Sequence, residues 1–428
     1  AQPAAPAAPT KRGAKVPFHV GTLARPQDAF DVLVDNTDVE FYPPAPLGSN
    51  KPTKPEESPV TQELTALIYP SWVVEAGALQ LPAPLTDADA VFVDSEAALA
   101  EMSEHLGRHR EFAVDLEHHS YRSYQGFTCL MQISTRERDY VVDTLALRAS
   151  IRGALAGHFL NPGKLKVFHG SDMDVQWLQR DFGIYVVGMF DTGQAARVLD
   201  LPSKGLAYLL SHYCGVKADK RYQLADWRLR PLTPQMIAYA RGDTHNLLYV
   251  YDRLKQQLVA SAVGANAEKD LIREVLDRSR NVCMTLYRAP RMTPLSYHVD
   301  YLKNVGSNSG GHGYKASLNY NAGTGGELDM TQLAVYAALF AWRDRRSRDD
   351  DESTGYVMPR ALMLRIAKGS PTTARALLAL CRGEAPLVAK HSKEIVDIIG
   401  RAVAVGAPPA LPLLPSEEAA AAAAEAAA

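Results

Sequence analysis

Four carboxylates and one phenol are spaced for chemistry on a phosphodiester. Asp115 and Glu117 stand two apart in Glu111-Phe112-Ala113-Val114-Asp115-Leu116-Glu117. Asp174 follows in His169-Gly170-Ser171-Asp172-Met173-Asp174-Val175-Gln176-Trp177-Leu178, and Tyr239 precedes Asp243 by four. Carboxylate oxygens are hard ligands that suit magnesium or manganese. Two such ions about 3.5–4 Å apart stabilise the attacking and leaving oxygens of an in-line displacement. A tyrosine beside them can orient the attacking water and help deprotonate it. Each piece also has a plain structural reading. Asp115 and Glu117 could be solvated acids at a strand end. Asp174 could be the N3 acid of a capping box opened by Ser171, with Asp172 competing for any functional role. Tyr239 and Asp243 could be an exposed pair on one helix face. The ordered set within one α/β domain favours the chemical reading.

The elements that must carry these residues are legible in the pattern. Phe112, Val114 and Leu116 alternate with Ala113, Asp115 and Glu117, so a strand over 111–117 turns its apolar side chains one way and both acids the other. Runs at 91–93, 128–134, 139–143, 165–169 and 184–187 also read as strands. Ser95 caps a helix to about 106. Further helical patterns cover 146–159, 172–182, 192–200 and 204–214. Thr233-Pro234 opens a long helix to about 258, and another pattern spans 266–287. A meander followed by alternating helix and strand predicts a mixed sheet flanked by helices.

The chain has 428 residues, a net charge of −2 and 46% apolar residues. That length predicts two or three domains. No apolar run is long enough to span a membrane, and Ala1–Thr10 lacks the apolar core of a secretory signal. Four scattered cysteines fit a reducing compartment and no zinc spacing. The charge balance makes no case for nucleic acid by itself. Residues 1–90 hold 14 of the 27 prolines and read as an extended arm, docked or partly disordered. Residues 91–262 form the α/β domain, and 263–327 a linker helix with a Gly/Ser/Asn-rich insertion from Asn304 to Gly326. Residues 328–403 read as a small all-helical domain, with Leu333, Tyr336, Ala337 and Phe340 in one apolar stripe. Residues 404–428 are a low-complexity Ala-rich tail. Arg343, Arg345, Arg346 and Arg348 form a basic run that Asp349, Asp350, Asp351 and Glu352 partly cancel, which favours docking over strong RNA binding.

Asp115 to Gly126, His169 to Leu178 and Tyr239 to His245 resemble the three motifs of the DEDD superfamily of 3′→5′ exonucleases, in its tyrosine version. Phe127-Thr128-Cys129-Leu130-Met131-Gln132, Leu224-Ala225-Asp226-Trp227-Arg228 and Leu339 to Asp344 extend the resemblance. So do Asp351-Glu352-Ser353 and Gly355 to Pro359. The branch resembled is that of the nuclear exosome's catalytic subunit, exosome component 10, related to bacterial RNase D. The resemblance covers roughly 91–403. It implies an RNase H-like α/β exonuclease domain plus a helicase-and-RNase-D C-terminal (HRDC) domain. It also implies hydrolysis of RNA 3′ ends to nucleoside 5′-monophosphates in the nucleus, with an exosome core or cofactor protein as partner. By motif, Asp115, Glu117, Asp174 and Asp243 hold two divalent ions, Mg2+ with Mn2+ as substitute, and Tyr239 positions the water. His118, Trp177, Lys220 and Gln223 match positions near the terminal nucleotide. Trp177 could equally be helix core and Lys220 a solvated loop residue; His169 and His245 read as structural. Gly242 departs from the Asp that relatives usually carry. The rivals are a DNA exonuclease of the same superfamily and a non-catalytic RNA-binding scaffold.

Overall fold

The computed structural model describes residues 16, 18–30, 35–82, 90–261, 270–307 and 328–409. The insertion expected over 304–326 begins within the helix Ser296–Ser307, and its remainder from 308, the start of the arm and the tail from 410 lie outside these residues. The chain forms two compact units. One comprises Ala1–Val34, Glu40–His119 and Phe127–Arg288; the other comprises Asp35–Val39, Ser120–Gly126 and Ala289–Ala428.

The first unit is built on a six-stranded mixed sheet. Its strands are β1 (Ala90–Val93), β2 (Glu111–His119), β3 (Phe127–Ser134), β4 (Asp139–Asp143), β5 (Leu165–Phe168) and β6 (Met189–Asp191). The spatial order is β1-β4-β3-β2-β5-β6. β2, β3 and β4 form the antiparallel meander; β1 joins β4, β5 joins β2 and β6 joins β5 in parallel. Phe112, Val114 and Leu116 bury one face of β2 with Met131, Ile133, Leu155 and Leu178. Ala113 lies on the other face, with Val167, Leu248 and Tyr251. Val60, Leu64 and Val73 of the Pro-rich segment are at most 1% exposed, so that stretch is docked.

Three expectations about elements need correction. Ile184–Val187 is fully buried but is no strand. Gly183, at φ +58°, ends the preceding helix, and the run crosses the core before Gly188 (φ +78°) leads into β6. The long helix from Pro234 is two helices, Pro234–His245 and Leu247–Ser261, separated at the buried Asn246. The helix expected in the linker, Leu271–Cys283, belongs to the first unit: Leu271, Ile272, Val275 and Leu276 pack with Leu254 and Phe190.

The second unit is helical from 330 to 405, around Leu333, Tyr336, Trp342, Met363 and Ile399. Its longest helix, Met330–Asp349, opens on an Asp329/Gln332 capping box. Arg343 pairs with Asp300, Arg346 with Asp350 and Arg348 with Asp344. These pairings occupy three of the four arginines, and Arg345 is exposed. The unit also holds Ser120–Gly126, the segment that continues from β2. Arg122 meets Glu352 through two hydrogen bonds of 2.8 and 2.6 Å. Asp351 accepts from Ser123 and the Tyr124 amide, and Tyr124 Oη donates to Asp344.

Candidate active site

Asp115 and Glu117 share a face of β2 because they are two residues apart. β5 runs parallel to β2, so the loop after β5 emerges at the end of the sheet where both acids stand. In open α/β sheets this is where sites form. That loop delivers Asp174. The Asp191 carboxylate accepts from the Gly170 and Ser171 amides and from the Ser171 hydroxyl, while also capping the helix Thr192–Val198. Ser171 therefore does not cap the next helix. Asp174 is the first residue of the helix Asp174–Phe182, with Met173 as N-cap, so the capping-box alternative falls. Asp172 is exposed and Asp174 is buried, which separates the two competitors.

The third piece is the helix Pro234–His245. Thr233 Oγ1 accepts from the Met236 amide, and Pro234 suits the first position. Arg241 Nε donates to Asp139 Oδ2 at 2.6 Å, His245 Nδ1 lies 2.8 Å from the same oxygen, and Ser134 bonds Thr244. These anchors fix the helix rotation over β3 and β4. Asp243 is thereby brought to β2: one carboxylate oxygen from each of Asp115, Glu117 and Asp243 lies within 4.8 Å of the others. Gly242 beside it faces open space at the Cβ position. Gly242→Ala should therefore stabilise the helix by about 0.5–1 kcal/mol, read as a small rise in urea midpoint. Unchanged or lower stability would mean that the turn needs glycine.

Electrostatics separate these acids from the other buried carboxylates. Burial and then neighbouring carboxylates push Glu117 and Asp174 well above the usual range. Burial lifts Asp115 to about 7, and burial with the Asp115 charge lifts Asp243 to about 8. Structural acids behave oppositely. Burial opposes ionisation at Asp139, Asp181, Asp191 and Asp226 too. There, hydrogen bonds or guanidiniums win, and each is lowered. A group of mutually repelling acids, pushed by one another and not relieved by a cation, fits a divalent metal site. The Tyr239 phenol, raised by burial and then by Asp243, stays protonated.

The expected substrate contacts divide into two pairs. His118 and Trp177 stack on each other, rings 4.2 Å apart and 8° from parallel. Burial, with Arg180 next, pushes His118 down to about 3, so its ring is neutral and Nε2 accepts from Arg180 at 3.0 Å. The mutual stack and the Arg180–Asp181 pair behind it have no counterpart in the sequence pattern. An i,i+1 ion pair leaves no periodic signal. Lys220 and Gln223 are exposed on and just after the short turn Lys220–Tyr222, and Tyr222 packs near the Tyr239 ring at 5.8 Å. His169 Nδ1 lies 2.9 Å from Thr192 Oγ1 and His245 pairs with Asp139, so both are structural.

This fold and acid cluster define a 3′→5′ exonuclease domain of the DEDD class, which uses divalent metal, in a chain that also carries an HRDC domain. Residues 90–259 match the family described as 3′-5′ exonuclease, and 332–399 match the HRDC domain. The catalytic core of RRP6 from Trypanosoma brucei superposes with a TM-score of 0.79 at 36% identity, covering 90% of this chain and 99% of that one. The chain belongs to the RRP6/exosome component 10 family. Protein RRP6-like 2 of Arabidopsis thaliana is 42% identical over 90% of this chain and 42% of its own length. Human exosome complex component 10 is 37% identical over 94% of this chain and 47% of its own. The chain thus spans about half the length of these curated relatives. Among the described residues, no helix is long and apolar enough to cross a membrane.

Proposed function

We propose that this chain hydrolyses RNA from its 3′ end, releasing nucleoside 5′-monophosphates, and that it does so with two Mg2+ ions, for which Mn2+ can substitute. The observation that carries this reading is the cluster of Asp115, Glu117 and Asp243 with buried Asp174 at the same sheet end, all shifted upward by burial and mostly by one another. Those four carboxylates would hold the ions. When bound, divalent cations supply Lewis-acid activation of water and neutralise the leaving oxygen. The chain's own residues do the rest. Tyr239, one helical turn before Asp243, keeps its proton and orients the attacking water. The water oxygen bonds to the phosphorus of the last linkage, the P–O3′ bond breaks, and the shortened strand keeps a 3′-hydroxyl. The exposed Lys220 offers a cation to phosphate.

Tyr239→Phe should lower kcat about 100-fold while the thermal shift produced by Mn2+ is unchanged. Loss of that shift would make Tyr239 a structural support of the metal site. Substrate class is tested with single-stranded RNA and DNA of one sequence, each with a free or a blocked 3′ end. Faster hydrolysis of RNA, abolished by the block, is expected. Equal rates would favour the DNA exonuclease reading, and no hydrolysis the scaffold.

The names of the relatives point to an exosome complex as partner; an associated cofactor protein and action in the nucleus belong to this proposal through the sequence resemblance alone. With Arg343, Arg346 and Arg348 paired internally, the helical unit serves as a docking and packing module. Removing 328–428 should leave most RNA affinity in place.

A further inference from the structure

A second metal-ligating cluster lies in the first unit, outside the acid site. His105 is in the last turn of the helix Glu96–Gly107, His109 follows the helix end, and Glu137 sits in the turn between β3 and β4. One ring nitrogen from each histidine and one Glu137 oxygen lie within 4.8 Å of one another. The two imidazoles are 4.3 Å apart by centroid, and His109 Nε2 is 3.7 Å from Glu137 Oε2.

The cluster is held in a frame. Thr135 Oγ1 lies 3.2 Å from His105 Nε2 and accepts from the amides of Glu137 and Arg138. One hydroxyl therefore both orients the His105 ring and shapes the turn that presents Glu137. Hydrogen-bonded partners of this kind fix ring orientation in metal sites. His105 is 6% exposed, the His109 side chain 16% and the Glu137 side chain 69%, so the cluster opens to solvent on the Glu137 side.

We propose that His105, His109 and Glu137 form a binding site for a Zn2+-type transition cation, distinct from the catalytic ions. Two imidazoles with one carboxylate suit zinc and leave a fourth position for water. The nearby Arg108 and Arg138 guanidiniums oppose any cation held by field alone, so coordination by nitrogen must carry the affinity. That selects against Mg2+, which prefers oxygen. Glu137 is two residues before Asp139, the anchor of Arg241 and His245. A bound ion would pin the β3–β4 turn to the end of the helix Glu96–Gly107.

The test uses the full chain with Asp115→Asn and Asp243→Asn, stripped by chelator, so that the catalytic acids do not compete. Calorimetric titration with ZnCl2 should show a single saturable site, and Zn2+ should raise Tm, while MgCl2 does neither. Adding His109→Gln and Glu137→Gln, both at the solvent side, should abolish the Zn2+ heat and the Tm rise with the circular dichroism spectrum unchanged. The same two substitutions in the otherwise native chain should leave Mg2+-dependent hydrolysis unaltered. Zn2+ binding that is absent, or that survives His109→Gln with Glu137→Gln, overturns the site.

Discussion

Asp115→Asn is expected to abolish hydrolysis and, in EDTA above pH 7, to raise Tm. The two effects share one cause. The Asp115 carboxyl ionises at about 7 in the folded chain against 3.8 when solvated. A folded-state pKa above the unfolded value favours folding most below the unfolded value. The advantage is lost as pH climbs through the folded one. Above pH 7 the wild-type chain must hold an ionised Asp115 against Glu117, Asp174 and Asp243, so the neutral amide is the more stable occupant. The Tm gap in favour of Asn should open between pH 4 and pH 7. Saturating Mn2+ should raise the wild-type Tm and close the gap, because a ligand that binds only the folded state stabilises it. Activity pays in the other direction: the metal contribution is several kcal/mol of transition-state stabilisation, a loss of about 1,000-fold or more in rate. Thermal melts in EDTA and in Mn2+, beside a rate assay, read both. An Asn variant that melts lower in EDTA above pH 7 would mean that Asp115 is a structural acid.

Asp181→Ala is expected to cost about 3–5 kcal/mol of folding free energy without touching a metal ligand. The Asp181 side chain is fully buried. It accepts from the Thr128 amide and hydroxyl at 2.7 and 2.8 Å, from Arg180 Nε at 2.8 Å and from Arg148 Nη2 at 3.2 Å. Removing it strands two guanidiniums and a backbone N–H, and leaving buried partners unpaired is the expensive outcome. The loss is a large part of the 5–15 kcal/mol typical of a domain. Arg180 also donates to His118, so the His118–Trp177 stack should loosen, read as a change in tryptophan fluorescence. A denaturation midpoint that shifts by less than about 1 kcal/mol would show that Arg180 and Arg148 find other partners.

Three of the four acids proposed to hold metal were legible as neighbours because their placement depends on local periodicity; Asp174 was placed by its motif. Alternation on β2 put Asp115 and Glu117 on one face, and the Tyr239–Asp243 interval put both on one side of a helix. What escaped the sequence was long-range. The apolar run Ile184–Val187 looks like a strand, yet the positive-φ glycines at its ends divert it through the core. Ser171 looks like a helix cap, but Asp191, 20 residues on, takes its hydroxyl. Periodicity cannot see the break at Asn246. Nor does it assign Leu271–Cys283 to the first unit or Ser120–Gly126 to the second, because apolar stripes and short polar loops do not name their partners. The resemblance sets His118 and Trp177 near the terminal nucleotide, but the stack between them joins a strand to a helix, which no local pattern shows.

The most direct measurement uses a 5′-labelled single-stranded RNA with a free 3′-hydroxyl, incubated with the chain in Mg2+ or in EDTA, beside Asp243→Asn. A ladder shortening from the 3′ end, with nucleoside 5′-monophosphates released, and present only with metal and intact Asp243, is the expected result. Shortening that persists in EDTA, or in Asp243→Asn at the native rate, would contradict the assignment of these carboxylates to metal-dependent hydrolysis.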